Sequence, residues 1–304
     1  MSSLKTSDGV LISAHHDAAE AGLAIVMAHG FTGSWRRPSL RRAALIFNAV
    51  AGVISFDFRG HGKSRGMSTV GDREIHDLDA AVAWARELGY AKVATVGFSM
   101  GASVAVRHAA LMRGAHPPDG ASSHGGSGID TAALMRGAYP PDGASSHGGS
   151  AIDTAALMRG AGLPNGALSS GGREGTATDA IVAVSGPARW YYRGTPPMRR
   201  VHWVLERRLG RLVGRVALGT RIANGGWDPV PEPPHAVAGQ ISPTPLLVVH
   251  GDADAYFPVE HAHQLYDSAR EPKELWLEPG FGHAENAADP DLLQRIGAWI
   301  VTHT

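Results

Sequence analysis

The chain has no cysteine among its 304 residues. That absence excludes disulfides, thiolate metal ligands and a thiol nucleophile together, and leaves the redox compartment open. An excess of charge of one sign is also missing. The 28 Lys and Arg balance 28 Asp and Glu, so no whole-molecule field attracts nucleic acid. No apolar run is long enough to span a bilayer, and Met1-Ser2-Ser3-Leu4-Lys5 leads into no apolar h-region. The expectation is a cytoplasmic protein with no stable membrane anchor and no nucleic-acid partner. Aromatic residues make up only 7%, yet the apolar share of 43% is that of an ordinary globular protein with a substantial core.

What is present centres on Val93-Ala94-Thr95-Val96-Gly97-Phe98-Ser99-Met100-Gly101-Ala102. A β-branched run reads as a buried strand, ends in Gly-x-Ser-x-Gly and passes at once into a helix-forming stretch to Ala110. Serine between glycines at a strand-to-helix turn is the pattern of a nucleophile elbow. Side-chain bulk two residues either side of the serine would collide with neighbouring backbone, so glycines are needed there.

Around this stretch strands and helices alternate. Asp8-Gly9 reads as the turn of a hairpin. Leu23 to Ala28 is a buried strand that stops at His29-Gly30-Phe31, Ser34 is a candidate cap for a helix expected to reach about Val50, and Gly52 to Asp57 is the next strand. The spacing of Ile75, Leu78, Val82 and Ala85 predicts a helix over 72–88. Farther on, Ala180 to Ser185, Leu246 to His250 and Glu274 to Leu277 read as strands, with helices over 260–270 and 289–301. Such alternation predicts a mostly parallel α/β sheet flanked by helices.

Two stretches interrupt it. Leu111 to Ala133 and Leu134 to Ala156 are copies of one sequence that differ only at His116/Tyr139 and Gly128/Ala151, and a decayed third copy follows. Each is too poor in large apolar residues to build a core, so 111–156 is expected to be a duplicated, flexible loop insertion in a single domain spanning 1–304. The second interruption, 187–241, holds Val201, Val204, Leu205, Leu209, Leu212, Val213 and Val216 at helical spacing, and over 199–216 they share the chain with Arg199, Arg200, Arg207, Arg208, Arg211 and Arg215 and a single acid, Glu206. It is expected to be a helical cap whose apolar stripe packs on the mouth of a site, with solvated arginines.

A serine nucleophile needs a base, an acid that orients the base, and donors for the oxyanion. In an open parallel sheet these gather at the carboxyl ends of strands. Asp254 follows the strand ending at His250-Gly251, and His283 follows the strand ending at Leu277. The order Ser, Asp, His is that of the elbow proteins. The oxyanion donors are expected to be the backbone N–H groups of Met100 and Phe31.

The pieces His29-Gly30-Phe31, Asp57-Phe58-Arg59-Gly60-His61-Gly62-Lys63-Ser64, Gly97-Phe98-Ser99-Met100-Gly101, His250-Gly251-Asp252-Ala253-Asp254 with Pro258, and Gly282-His283 stand in one order. In this the chain resembles the α/β-hydrolase superfamily, in its esterase/lipase and serine-aminopeptidase-like branch. The resemblance implies an α/β-hydrolase fold with a small helical cap and selects Asp254 over Asp252 as the acid. It implies a serine hydrolase acting on a small-molecule acyl substrate, a carboxylic ester first, with an amide or thioester as alternatives served by the same groups. A non-catalytic ligand-binding protein on this fold is the reading from another class. His29 and His61 are expected to organise loops. His261-Ala262-His263 lacks the spacing of a zinc site, and no metal or cofactor is expected. The oligomeric state is open.

Overall fold

The computed structural model describes residues 2–114 and 176–304. The duplicated stretch, apart from its first four residues, lies outside the described residues, and so does the expectation of a flexible insertion over 111–156. The described residues belong to one compact unit, Met1–His116 with Gly171–Thr304.

In chain order the elements are β1 (Ser2–Lys5), β2 (Leu11–Asp17), β3 (Leu23–Ala28), α1 (Pro38–Phe47), β4 (Gly52–Phe56), α2 (Glu74–Glu87), β5 (Lys92–Phe98), α3 (Met100–Gly114) and β6 (Ala180–Val184). They continue with α4 (Pro196–Glu206), α5 (Arg208–Val216), α6 (Pro234–Val237), β7 (Leu246–Gly251), α7 (Glu260–Ser268), β8 (Lys273–Glu278), α8 (Ala284–Ala287) and α9 (Pro290–His303). The eight strands form one sheet in the order β1-β2-β4-β3-β5-β6-β7-β8. The Asp8-Gly9 hairpin adds β1 and β2 antiparallel at one edge, and every pair from β4 to β8 is parallel. This is the mostly parallel α/β sheet expected from the alternation, with helices on both faces, and it matches the α/β-hydrolase fold that the resemblance implies.

The central strands read as continuous apolar runs because both of their faces are covered. One face packs against α2, α3 and α7 through Leu78, Val82, Val106 and Leu265. The other packs against α1 and α9 through Leu40, Phe47, Leu293, Ile296 and Trp299. Helix α9 starts where its sequence says it should: Pro290 fits the first turn, and the Asp289 carboxylate accepts the Leu292 N–H at 2.8 Å.

Register then positions everything that follows. Ala28 pairs with Gly97, Phe98 with Val184, Val184 with Val249, and Gly251 with Glu278. The parallel strands therefore end nearly level, and the loops after β3, β5, β6, β7 and β8 emerge side by side. Sheet order also reverses about β3, since the chain goes from β3 out to β4 and then back past β3 to β5. Such a reversal leaves a crevice at the strand ends.

The 187–241 stretch corrects one expectation. Its apolar stripe does not pack as a whole on the mouth of the site, because it runs through two helices broken at Arg207, whose backbone is extended (φ −95°, ψ 139°). Packing explains the break. A Cβ on Gly210 would lie 2.3 Å from the Trp203 carbonyl and 2.7 Å from the Val204 Cα, so the bare glycine lets α5 fold back directly onto α4. A continuous helix would forgo that contact. The stripe divides with it: Val201, Val204 and Leu205 line an internal cavity, whereas Leu209, Leu212, Val213 and Val216 are exposed. Among the described residues no helix is long and apolar enough to cross a membrane.

Candidate active site

Ser99 sits at the sharp turn between β5 and α3, with a left-handed backbone (φ 52°) that a non-glycine residue adopts at a cost of about 1 kcal/mol or more. The turn is held by the Ser99 N–H donating to the Val184 carbonyl at 2.9 Å. Glycines flank it for the steric reason read from the sequence. A Cβ on Gly97 would meet the Gly101 carbonyl oxygen at 2.3 Å, and one on Gly101 would meet the Ala28 carbonyl oxygen at 2.1 Å. The second contact does more than allow the turn, because it seats the end of β3 against the elbow. A Cβ on Gly30 would be only 3.3 Å from that of Ser99. Phe31 and Met100 accordingly line the same cavity as Ser99.

The loops after β7 and β8 are drawn together in the same way. Gly251 has no side chain, and the Phe281 carbonyl occupies the space where one would be (1.9 Å from an added Cβ). The Ala253 N–H donates to that carbonyl at 3.2 Å. Asp254 and His283 are thereby placed in contact. His283 Nδ1 donates to Asp254 Oδ2 at 2.8 Å, and His283 Nε2 accepts from the Ser99 hydroxyl at 3.0 Å. The other Asp254 oxygen accepts the N–H groups of Tyr256 (2.7 Å) and Phe257 (3.1 Å). This fixes the carboxylate and, through it, the imidazole tautomer that leaves Nε2 free to take a proton. Asp252, the rival acid, is exposed and accepts the Gly280 N–H at 2.6 Å, away from His283.

His29 and His61 are buried between the β3 and β4 loops. His29 Nε2 accepts the Phe58 N–H at 3.0 Å, and its Nδ1 donates to the Gly30 carbonyl at 2.7 Å. Burial pushes its pKa down to about 3, so it stays neutral and keeps this pattern. His61 accepts the Thr32 N–H at 3.2 Å and donates to the Arg59 carbonyl at 2.9 Å. Both pin the 29–33 turn. Asp57 buttresses it from outside by accepting from Ser34 Oγ, Trp35 N, Lys63 N and Arg36.

One residue of the site escaped the sequence reading. Glu285 lies on α8, two residues past His283, and both of its carboxylate oxygens are 3.6 Å from where a Gly30 Cβ would be. It is 7% exposed. Burial raises its pKa above the ordinary value of 4.5, while its own N–H, the His283 side chain and the Gly30 N–H oppose the rise. The signal was present in Gly282-His283-Ala284-Glu285, but an acid beside a site histidine is usually solvated, and nothing local marks it as buried.

The sign of that shift makes a prediction. A carboxyl whose folded pKa exceeds its unfolded one costs nothing below pH 4.5 and costs progressively more as pH rises toward the folded value. Glu285→Gln is therefore expected to melt above the wild type at about pH 8, by a few degrees, with the gap closing as pH falls toward about 4. Differential scanning at both pH values checks this. A lower melting temperature for the variant at high pH would mean that the ionised carboxylate stabilises its surroundings.

The cavity at the strand ends has a volume of about 830 Å³. Ser99 and His283 line it, and the 187–241 segment contributes Trp190, Tyr191, Val201, Leu205 and Trp227 to its lining. Thr195 fastens that segment to the Asp254 loop, its hydroxyl donating to the Tyr256 carbonyl at 2.9 Å. Among the described residues no three His, Asp or Glu side chains are gathered as a metal ion requires.

Comparison with known proteins agrees with this architecture. A model of the Alpha/beta hydrolase family matches residues 25–293. A stretch of 49 residues is 45% identical to the Uncharacterized protein YfhR of Escherichia coli K12, covering 16% of this chain and 17% of that protein. The chain thus matches about one-sixth of that relative's length. Among solved structures, the esterase Pf2001 of Pyrococcus furiosus is similar with a TM-score of 0.63 at 19% identity, over 99% of this chain and 91% of that one. Est1E of Butyrivibrio proteoclasticus, solved with ferulic acid bound, is similar with a TM-score of 0.58 at 14% identity, over 100% and 99%. At these identities the structures speak for the fold alone.

Proposed function

The chain belongs to the alpha/beta hydrolase family, and on that premise we propose that it is a serine hydrolase that cleaves a carboxylic ester of a small molecule through an acyl-enzyme. Ser99 is the nucleophile, His283 the general base and then acid, and Asp254 the group that orients His283. The hydroxyl proton passes to His283 Nε2 as Oγ attacks the acyl carbon, and the N–H groups of Phe31 and Met100 receive the developing oxyanion. The imidazolium protonates the leaving alkoxide. Water activated by the same nitrogen then releases the acid.

The observation that carries this reading is the unbroken chain of contacts from Asp254 through His283 to Ser99, at 2.8 and 3.0 Å. Each distance lies within the range proton transfer requires. The cavity supports the choice of substrate class. Trp190, Tyr191, Val201, Leu205 and Trp227 in its lining give an apolar acyl or alcohol group a surface to pack on, beside polar side chains such as Ser68, Thr69 and Asn286 that can fix its orientation.

The test is a series of p-nitrophenyl esters from acetyl to palmitoyl, each beside its p-nitroanilide. The ester is expected to be turned over at least about 100-fold faster than the matched amide at its best chain length, a margin of about 2.7 kcal/mol in barrier. Amides hydrolysed as fast as esters would favour the peptidase reading. Leu205, which lines the cavity, reads out the cap: Leu205→Asp is expected to raise KM for the longer esters by about 10-fold or more, because it places a charge against apolar substrate. Unchanged KM along the whole series, with the protein folded, would remove the 187–241 segment from substrate choice.

A further inference from the structure

Helix α5 presents three distinct faces, and its apolar one is turned away from the protein. With 3.6 residues per turn, Gly210 and Gly214 share a side, and both are buried. An added Cβ would strike the α4 backbone at Gly210 and come within 3.0 Å of Ile222 at Gly214. Leu209, Leu212, Val213 and Val216 recur at i, i+3, i+4 and i+7 on another side and are exposed, Leu209 by 62%, Leu212 by 55% and Val216 by 77%. Arg208, Arg211 and Arg215 occupy the third. A water-soluble helix normally buries the side that carries its leucines. Here two glycines take the inward position and the leucines are left outside.

The surroundings carry charge of one sign. From Arg189 to Arg221 there are nine arginines and one acid, Glu206. That acid is already engaged by Arg193 and His202. Trp203 on α4 is exposed at the α4–α5 contact, with Arg199, Arg200, Arg207 and Arg208 exposed near it. An apolar ridge flanked by exposed arginines fits one environment well. In an anionic lipid interface the leucines and valines enter the acyl boundary while guanidinium groups reach the phosphates.

We propose that the outward face of α5, with Trp203, docks this protein reversibly onto anionic lipid membranes. A second copy of the chain suits the surface less, because a two-fold contact would set arginines against arginines with Glu206 already taken. Helix α4 and Arg211 also line the cavity, so the docking face is the outer side of the cavity's own wall. Docking there would bring the cavity to ester dissolved in the lipid. The proposal goes beyond the hydrolase reading and does not depend on Ser99.

The experiment is co-sedimentation with vesicles of phosphatidylcholine containing roughly three parts in ten phosphatidylserine, using the full chain and Ser99→Ala. Both proteins are expected to sediment, with at least about tenfold weaker partition onto phosphatidylcholine alone or in high salt. Leu209→Asp with Leu212→Asp is expected to lower partition at least about tenfold while leaving turnover of a soluble acetyl ester within about twofold. Arg208→Glu with Arg215→Glu is expected to do the same, so that the result does not rest on one variant. Wild-type protein that stays in the supernatant, variants that sediment like wild type, or a wild-type dimer that the leucine variant dissolves in light scattering would each overturn the proposal.

Discussion

Ser99→Ala is expected to lower kcat/KM for the best ester by about 10⁴-fold or more, with melting temperature within a few degrees of wild type. The substitution removes one oxygen from a half-buried side chain whose hydroxyl is engaged with His283. Alanine meets the same left-handed backbone that serine occupies at φ 52°, so little new strain is introduced. What disappears is the hydroxyl proposed to attack the acyl carbon. His283→Ala is expected to cost a comparable factor, and the double variant no more than the larger single loss, because groups that act as a unit do not contribute additively. Activity of Ser99→Ala within tenfold of wild type, once a contaminating hydrolase is excluded, would rule out the acyl-enzyme route. Losses that multiply would mean that Ser99 and His283 act in separate steps.

The two aspartates of Asp252-Ala253-Asp254 are expected to differ as sharply. Asp254 holds the Tyr256 and Phe257 N–H groups with one oxygen and His283 Nδ1 with the other. In Asp254→Asn the Oδ1 position must keep the carbonyl to satisfy those two amides. The NH₂ group then faces Nδ1, and the imidazole can answer only by moving its proton to Nε2, where it blocks transfer from Ser99. A fall in kcat of about 10³- to 10⁴-fold follows, with KM little changed. Asp252→Asn is expected to stay within about threefold, since an amide oxygen still accepts the Gly280 N–H at the exposed turn. Steady-state kinetics of both variants on one ester decides the assignment. The larger loss in Asp252→Asn would reverse it.

Much of the architecture could be read beforehand because these strands are buried on both faces. Leu23 to Ala28, Ala180 to Val184 and Leu246 to Val249 are unbroken apolar runs, and a glycine follows each within two residues, Gly30, Gly186 and Gly251. Strand ends are thus visible in the sequence, and a parallel sheet brings such ends level. Ser99 and His283 follow from that logic, and the family resemblance selects Asp254 over Asp252; His283 lies within hydrogen-bond reach of both Ser99 and Asp254. Three features were not accessible in this way, each for a physical reason. Periodicity shows that a helix has an apolar side but not what that side faces, so the leucines of α5 were expected to point inward. Gly210 and Gly214 read as poor helix formers, whereas their use lies in the close approach of α4 and Ile222, which only tertiary packing reveals. Glu285 is buried by the short helix after His283 and the neighbouring Gly30 turn, and neither proximity is written in its local sequence.

A fluorophosphonate reports directly on whether Ser99 is an activated nucleophile, because ordinary serines react with it slowly. Intact-mass and peptide mass spectrometry after brief exposure is expected to show one phosphonyl group per chain, on Ser99. Labelling should be lost in Ser99→Ala and slowed at least about 100-fold in His283→Ala. An unlabelled wild-type protein, or a label on another residue that persists in Ser99→Ala, would contradict the account.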